Sequence, residues 1–283
     1  MHMFIHGDPL DPHYPDRIDR SVVVLGLGMV TDDHLEMPFH AHRKAQLLFA
    51  DSGLITLETA SGVWVVPPQS AVWIPGGTEH RAQSCGMAQG FVLFVEPGAA
   101  PGLPETCRTI SVSPFMRALL ERTASLPERY EIDGPDGRLM TVLIDELIAA
   151  PHEWLHLPMP IDPRLRKLAD ALLSAPAEHV TLDRLARRIG MSERSMTRLF
   201  ASETGLSVSR WRRQMHVLAA MPMLAQGRTI QSIADELGYD SSGAFVTMFR
   251  KAVGTPPRRF LAERTSASPG PLHAISGRSH EFR

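Results

Sequence analysis

Two stretches in the last third of the chain repeat one another, and that repeat restricts the fold more than any other feature. Residues 181–205 read TLDRLARRIGMSERSMTRLFASETG, and residues 229–254 read TIQSIADELGYDSSGAFVTMFRKAVG. Ala186 and Gly190 match Ala234 and Gly238 at an offset of 48. One residue is added in the turn, and Ser192, Met196, Leu199, Phe200 and Gly205 then match Ser241, Phe245, Met248, Phe249 and Gly254 at an offset of 49. Each copy predicts two short helices crossing at a tight turn. The small Ala lets the second helix approach the first. Gly190 and Gly238 fall where the first helix ends on a left-handed residue. Ser192, and Asp240 or Ser241 in the second copy, can cap the next helix. Met196, Leu199 and Phe200 share one face, as do Phe245, Met248 and Phe249, so these faces pack inward and the opposite faces stay open.

Charge indicates what the open faces meet. Residues 1–161 carry 10 Lys/Arg against 20 Asp/Glu, whereas residues 162–264 carry 17 against 10. An acidic segment joined to a basic one points to a polyanion meeting only the second. Two helix-turn-helix copies in the basic segment predict double-stranded DNA as the partner, with the second helix of each copy in the major groove. Between the copies, SVSRWRRQMHVLAAMPMLAQG predicts a connecting helix ~30 Å long at 1.5 Å per residue. Successive major grooves on one face of a duplex are ~34 Å apart, so such a helix can place two readers in adjacent grooves. Pro222 lies inside it, where proline costs ~3 kcal/mol or a kink.

The run IADELGYDSSGAFVTMFRKAVGTPPRRF carries IA, then LG-aromatic, two Phe, and G-x-x-P before a final aromatic. In these features the C-terminal half resembles the DNA-binding domain of the AraC/XylS family of bacterial regulators. The resemblance implies that Arg194, Thr197 and Arg198 fall at base-contacting positions, with Glu193 also outward and Ser195 and Ser202 near the edge. The arginine fork suits guanine O6 and N7. The equivalent positions of the second copy are Ser242, Gly243, Val246 and Thr247, none of which can form that bidentate pair. The first copy is therefore expected to supply most base discrimination. The second would position the protein through methyl contacts and through Arg250, Lys251, Arg258 and Arg259 near phosphates.

Upstream the texture changes. Residues 1–20 are polar, rich in Pro, His and Asp, and read as a loosely held arm. From residue 21 to about 95, SVVVLGLGMV, AQLLFADSG, LITLET, GVWVVP, AVWIP and GFVLFVEP read as short strands with close turns, which predicts a small β-barrel or sandwich over 21–104. SPFMRALLERTASL and DGRLMTVLIDELIAA have helical spacing, with Ser113 and Asp136 as caps, so 105–160 is expected to be a helical linker or dimerisation segment. The double helix-turn-helix domain then spans 161–264, and 265–283 lacks periodicity and reads as disordered. The fold class expected is α+β in two domains, a cupin-like barrel followed by helices and then an all-α domain.

Two histidine clusters stand out in the barrel: His40-x-His42-x-x-x-Gln46, and Pro75-x-Gly77-x-x-His80. In a strand, positions 40, 42 and 46 share parity. Three imidazoles converging inside a barrel form an open metal site with a fourth position left for water or ligand. The order and separation of the clusters, within residues 30–96, resemble the two motifs of the cupin superfamily, whose pattern has Glu where this chain has Gln46. That change weakens hard divalent ions and removes a candidate base, though the amide oxygen can still ligate. Three readings stay open: a divalent metal (Zn, Ni, Fe or Mn), a metal-free effector pocket, or no ligand role. Trp64, Trp73, Phe39 and Phe94 read as core more than as pocket wall.

Cys85 and Cys107 form no zinc pattern and fit a reducing compartment. The N-terminus lacks a secretory pattern, and no apolar run approaches the ~20 residues that span a bilayer, so a cytoplasmic location without membrane contact is expected. The leading reading is a transcription regulator, a homodimer with a small-molecule effector and with RNA polymerase as a further partner. The rivals are a cupin-type dioxygenase or isomerase with an appended DNA-binding domain, and a DNA-binding module whose barrel only dimerises.

Overall fold

A computed structural model describes residues 14–27, 36–127 and 129–266 of the chain. A short helix α1 (Tyr14–Arg17) leads into antiparallel strands β1 (Val22–Leu27), β2 (Glu36–His40), β3 (Ala45–Thr59), β4 (Gly62–Val66), β5 (Ser70–Ile74), β6 (His80–Val95) and β7 (Arg108–Ser111). β3 and β6 lie side by side along their length, from Ala45 opposite Val95 to Thr59 opposite His80. Register shifts between Ala50 and Leu54 divide this ribbon into two arms. One arm carries β1 outside β6 and β5, then β7, outside β3. The other carries β2 outside β6 and β4 outside β3.

Strand alternation sorts the side chains. Leu48, Ile55, Leu57, Trp64, Val72, Ala82, Val92 and Phe94 form an inner cluster. On the other face of the first arm, Leu47, Phe49, Trp73, Phe91 and Leu93 pack against Met116 and Leu120 of α2 (Pro114–Ala124) and Leu143 and Leu147 of α3 (Pro135–Ala149). Ser113 caps α2, but Gly134, not Asp136, occupies the cap position of α3, and Asp136 lies in its first turn. Trp64, Trp73 and Phe94 are buried, whereas Phe39 is half exposed.

The segment 105–160, expected to be helical, also supplies three strands. β7 pairs with β5, β8 (His152–Glu153) with β7, and β9 (His156–Pro158) with β4. Prolines at 151, 158 and 160 rule out a continuing helix, and the backbone polar groups here are satisfied on open sheet edges instead. The arm differs from expectation as well. Residues 1–13 lie outside the described residues, but 14–20 are tied down: Ile18 is buried, its carbonyl accepts from Lys44 Nζ at 2.6 Å, and Asp16 Oδ1 accepts from the Arg43 N–H at 2.9 Å.

The C-terminal half holds α4 (Pro163–Ser174), α5 (Leu182–Arg188), α6 (Glu193–Thr204), α7 (Val208–Ala225), α8 (Ile230–Glu236), α9 (Ser242–Val253) and α10 (Pro257–Ser266). The repeat folds as its residues dictate. Gly190 and Gly238 are left-handed at φ 66° and 77°. Ser192 and Ser241 cap α6 and α9 by accepting from the N–H of Ser195 and Ala244. Met196, Phe200, Phe245 and Phe249 are fully buried beside Ala186 and Ala234. α7 runs on through Pro222 for 18 residues, about 27 Å. Of the tail expected to be disordered over 265–283, Thr265 and Ser266 instead end α10, and the rest lies outside the described residues. No helix among the described residues is long and apolar enough to cross a membrane.

One buried cluster spans both domains. Leu54 and Val65, on the outer face of the second arm, belong to the same buried cluster as Trp211, Leu218 and Met221 of α7. Trp211 is fully buried, and its Nε1–H donates to the Pro158 carbonyl of β9 at 2.7 Å. At the far end of the domain, Arg264 of α10 reaches back to Glu153 of β8 at 2.6 Å.

Candidate DNA interface and histidine centre

Ion pairing separates the cations of the helical domain into two groups. Arg187 is paired with Asp183, Arg188 with Glu178, Arg228 with Glu236, and Arg259 with Glu263. Among the described residues, Arg194, Arg198, Arg250, Lys251 and Arg258 are exposed and have no ion-pair partner, so their charge is available to a polyanion. Arg259, grouped with them by sequence, is already neutralised one helical turn on.

On α6, Glu193, Arg194, Arg198 and Ser202 are exposed, with Ser195 and Thr197 half-buried between the arginines and the core. Ser195 Oγ is engaged by the cap residue, accepting from Ser192 at 2.9 Å. Thr197 donates its hydroxyl to the Glu193 carbonyl at 2.8 Å, which leaves its methyl and oxygen lone pairs as reading groups. On α9, Gly243 and Thr247 are exposed and Ser242 half-buried. A Cβ built on Gly243 would meet nothing closer than Ser241 Oγ at 3.8 Å. The outward face of α9 is thus small and uncharged until its last turn, where Arg250 and Lys251 lie.

In the sheet domain, the turn between β5 and β6 creates the second constellation. Gly76 sits so close to the loop before β3 that a Cβ there would stand 2.1 Å from the Arg43 carbonyl oxygen. Gly77, at φ 76°, donates its N–H to the His42 carbonyl at 2.8 Å. The two glycines fasten one loop onto the other and bring His80, the first residue of β6, beside His40 and His42. The sequence motif pointed to Gly77; Gly76 was missed, although a doubled glycine after Pro75 was the available signal. His40 ends β2 and His42 lies in the following loop, so the shared strand parity expected for 40, 42 and 46 does not produce the cluster. One ring nitrogen of each histidine nonetheless lies within 4.8 Å of the others.

The ring nitrogens have distinct roles. Each Nδ1 lies on a backbone carbonyl two residues away: His40 on Pro38 at 2.9 Å, His42 on Lys44 at 2.7 Å and His80 on Thr78 at 2.8 Å. A carbonyl only accepts, so Nδ1 carries the proton and Nε2 the lone pair, the tautomer a metal takes. Gln46 Oε1 is 3.0 Å from His42 Nε2. That oxygen suits a cation shared with the imidazole; without one, the amide turns over and donates to Nε2. Three imidazoles and one carbonyl oxygen fit a borderline divalent ion such as zinc better than a hard one.

Burial, reinforced by His40 and His42 nearby, holds the His80 imidazole down to about 4 from 6.5. The folded form therefore binds fewer protons than the unfolded chain between those values. Stability contributed by neutral His80 is fully present above pH 6.5 and falls as pH drops toward 4, by about 3 kcal/mol in all. Urea unfolding of the metal-free protein at pH 7 and at pH 4.5, compared with His80→Asn, will show a steeper loss in the parent; equal losses would refute the assignment.

Comparison with known proteins adds independent findings. A family model described as a helix-turn-helix domain matches residues 185–263. The HTH-type transcriptional regulator NimR of Escherichia coli (strain K12) is 40% identical over 265 residues, covering 94% of this chain and 96% of that protein. The HTH-type transcriptional regulator RipA of Corynebacterium glutamicum is 26% identical over 218 residues, covering 76% of this chain and 61% of that protein. Among solved structures, the DNA-binding domain of the global transcriptional factor AdpA, in complex with a target DNA, is 27% identical and covers 39% of this chain and 99% of its own, with a TM-score of 0.35.

Proposed function

The chain belongs to the AraC family of helix-turn-helix transcription regulators, and on that premise we propose that it reads an operator mainly through α6, under the control of a ligand bound at His40, His42, Gln46 and His80. The observation that carries the reading is the contrast between the outward faces of the two repeats. α6 offers two unpaired arginines in its first turns, while α9 offers Ser242, Gly243 and Thr247 and holds its cations for the last turn. The first module discriminates bases, and the second positions the protein on phosphate.

For the sensor we favour a divalent ion, zinc foremost, held by the three Nε2 atoms and the Gln46 oxygen. Such an ion supplies a Lewis-acidic point at which an effector oxygen can bind. Gln46 cannot take up a proton, so the centre has no carboxylate base, and this favours sensing over turnover. The same reading includes a cytoplasmic homodimer that acts on RNA polymerase. Its two cysteines are unpaired, and Val142 and Ile148 on the outward side of α3 offer the apolar contact.

The test uses the full chain, fluorescence anisotropy at ~150 mM salt, and DNA from upstream of its own gene against scrambled DNA. The expected preference is ~10³-fold or more, and zinc or a chelator will change the affinity for the upstream DNA. Equal binding to both DNAs would overturn the regulator reading, and indifference to zinc and chelator would overturn the metal-sensing part.

A further inference from the structure

The two glycine turns of the repeat sit in different surroundings. A Cβ built on Gly190 would meet nothing among the described residues within 4 Å, so the first turn is open. A Cβ on Gly238 would stand 2.8 Å from the Ala177 carbonyl oxygen and 3.1 Å from His179 Nε2. The second turn is therefore pressed against residues 176–180, which lie in the loop that leads from α4 into α5 of the first copy.

Three side chains hold this junction. His216 of α7 is buried and uses both ring nitrogens. A carbonyl only accepts, so Nε2–H donates to Pro176 at 3.1 Å, which leaves Nδ1 to accept from the Tyr239 hydroxyl at 2.8 Å. Burial holds the His216 imidazole below its ordinary pKa and pushes the Tyr239 hydroxyl up to about 12, so the pair is neutral at pH 7. Tyr239 follows Gly238 in the second turn, and its ring meets that of Phe245 of α9 with centroids 5.7 Å apart. One turn earlier on α7, Arg212 donates to the carbonyls of Glu178 at 2.6 Å and Val180 at 3.4 Å. His179 reaches across from the loop and donates to the Gly238 carbonyl. Glu178 also pairs with Arg188, the last residue of α5.

Two connections thus run between the copies. One is α7 itself, with Pro222 in its last turn. The other is this loop, which ties the entry of α5 to the turn before α9. We propose that His216, Arg212 and His179 are positioning residues that fix the separation and twist at which α6 and α9 meet one duplex. This rests on the two-module reading above and adds what sets its geometry. Linked modules bind tightly only where their span matches that of their sites, and a stiffer link rejects other spans more sharply. One base pair added between the sites moves them apart by about 3.4 Å and turns one about the axis by about 35°.

The test uses the full chain and a duplex from upstream of its own gene, in which interference footprinting locates the two contacted major grooves. Affinity is measured for this duplex and for one with a base pair inserted between the grooves. The parent is expected to lose at least about a hundredfold on insertion. His216→Leu, Arg212→Met and His179→Ala should each bind the unaltered duplex about three- to tenfold more weakly and show an insertion penalty smaller by a similar factor. Gly238→Ala must part the turn from the loop and should behave as they do. Gly190→Ala carries the same left-handed strain in open space and should keep the parent's penalty. Variants as sensitive to insertion as the parent overturn the clamp and leave the two-module reading standing. A parent indifferent to insertion, or contacting fewer than two grooves, overturns both. If His216→Leu does not fold, the other two replacements carry the test, since His179 is exposed and Arg212 half-buried.

Discussion

Replacing Arg198 with alanine is expected to weaken operator binding by about 1–3 kcal/mol, roughly five- to more than a hundredfold, and to flatten the preference among operator variants. Arg198 is exposed, makes no ion pair among the described residues, and sits one turn beyond Arg194 on the face of α6 opposite Met196 and Phe200. Removing it opens no cavity, so the unfolding midpoint should stay within the range of ordinary surface changes. A fork that pairs with a guanine gives a loss concentrated on DNAs carrying that guanine. A cation that touches only phosphate gives equal loss on all sequences and a salt slope lower by about one. Arg258→Ala is the contrast, expected to behave in the second way. Equal weakening of Arg198→Ala on specific and random DNA would remove α6 from its reading role.

Gly76→Ala is expected to damage the histidine centre while leaving its ligands in the sequence. The added methyl would stand 2.1 Å from a backbone oxygen, and backbone cannot swing aside as a long side chain can. The β5–β6 turn must lift from the loop that carries His42, at a cost of about 1–3 kcal/mol in stability. The Gly77-to-His42 hydrogen bond goes with it. Zinc affinity should fall by about 10–100-fold, as when an orienting partner of a ligand is lost. Gly77→Ala separates the causes, since a Cβ there meets nothing within 4 Å and only the left-handed backbone penalises it, by about 1–2 kcal/mol. Calorimetric zinc titration and urea unfolding of both variants decide the matter; unchanged zinc affinity in Gly76→Ala would show that the trio does not depend on this junction.

Local pattern made the helical domain legible and distance hid the rest. Gly190, Gly238, Ser192 and the 196/199/200 spacing act within one turn of helix, so the sequence shows them directly. The strands β7, β8 and β9 were not visible because two to four residues carry no period; they are strands only because β4, β5 and β7 leave edges for them to pair with. The meeting of His40, His42 and His80 was suggested by motif, but the means of bringing them together, Gly76 against Arg43, is a contact across 33 positions of chain. The same is true of Arg117, which joins α2 to β3 by pairing with Asp51 at 2.6 Å, both largely buried. The partner of Arg259, Glu263 one helical turn later, is by contrast visible in the sequence.

The shared packing of Leu54 and Val65 with α7 bears on how such chains can be recombined. A chimera cut near residue 160 and joined to another sensor would strip a fitted apolar seat from the connecting helix and leave it facing water. Grafts that carry their own matching surface, including the strand equivalent to β9, should stay soluble and inducible; grafts made at the apparent boundary should aggregate or bind DNA without regard to inducer.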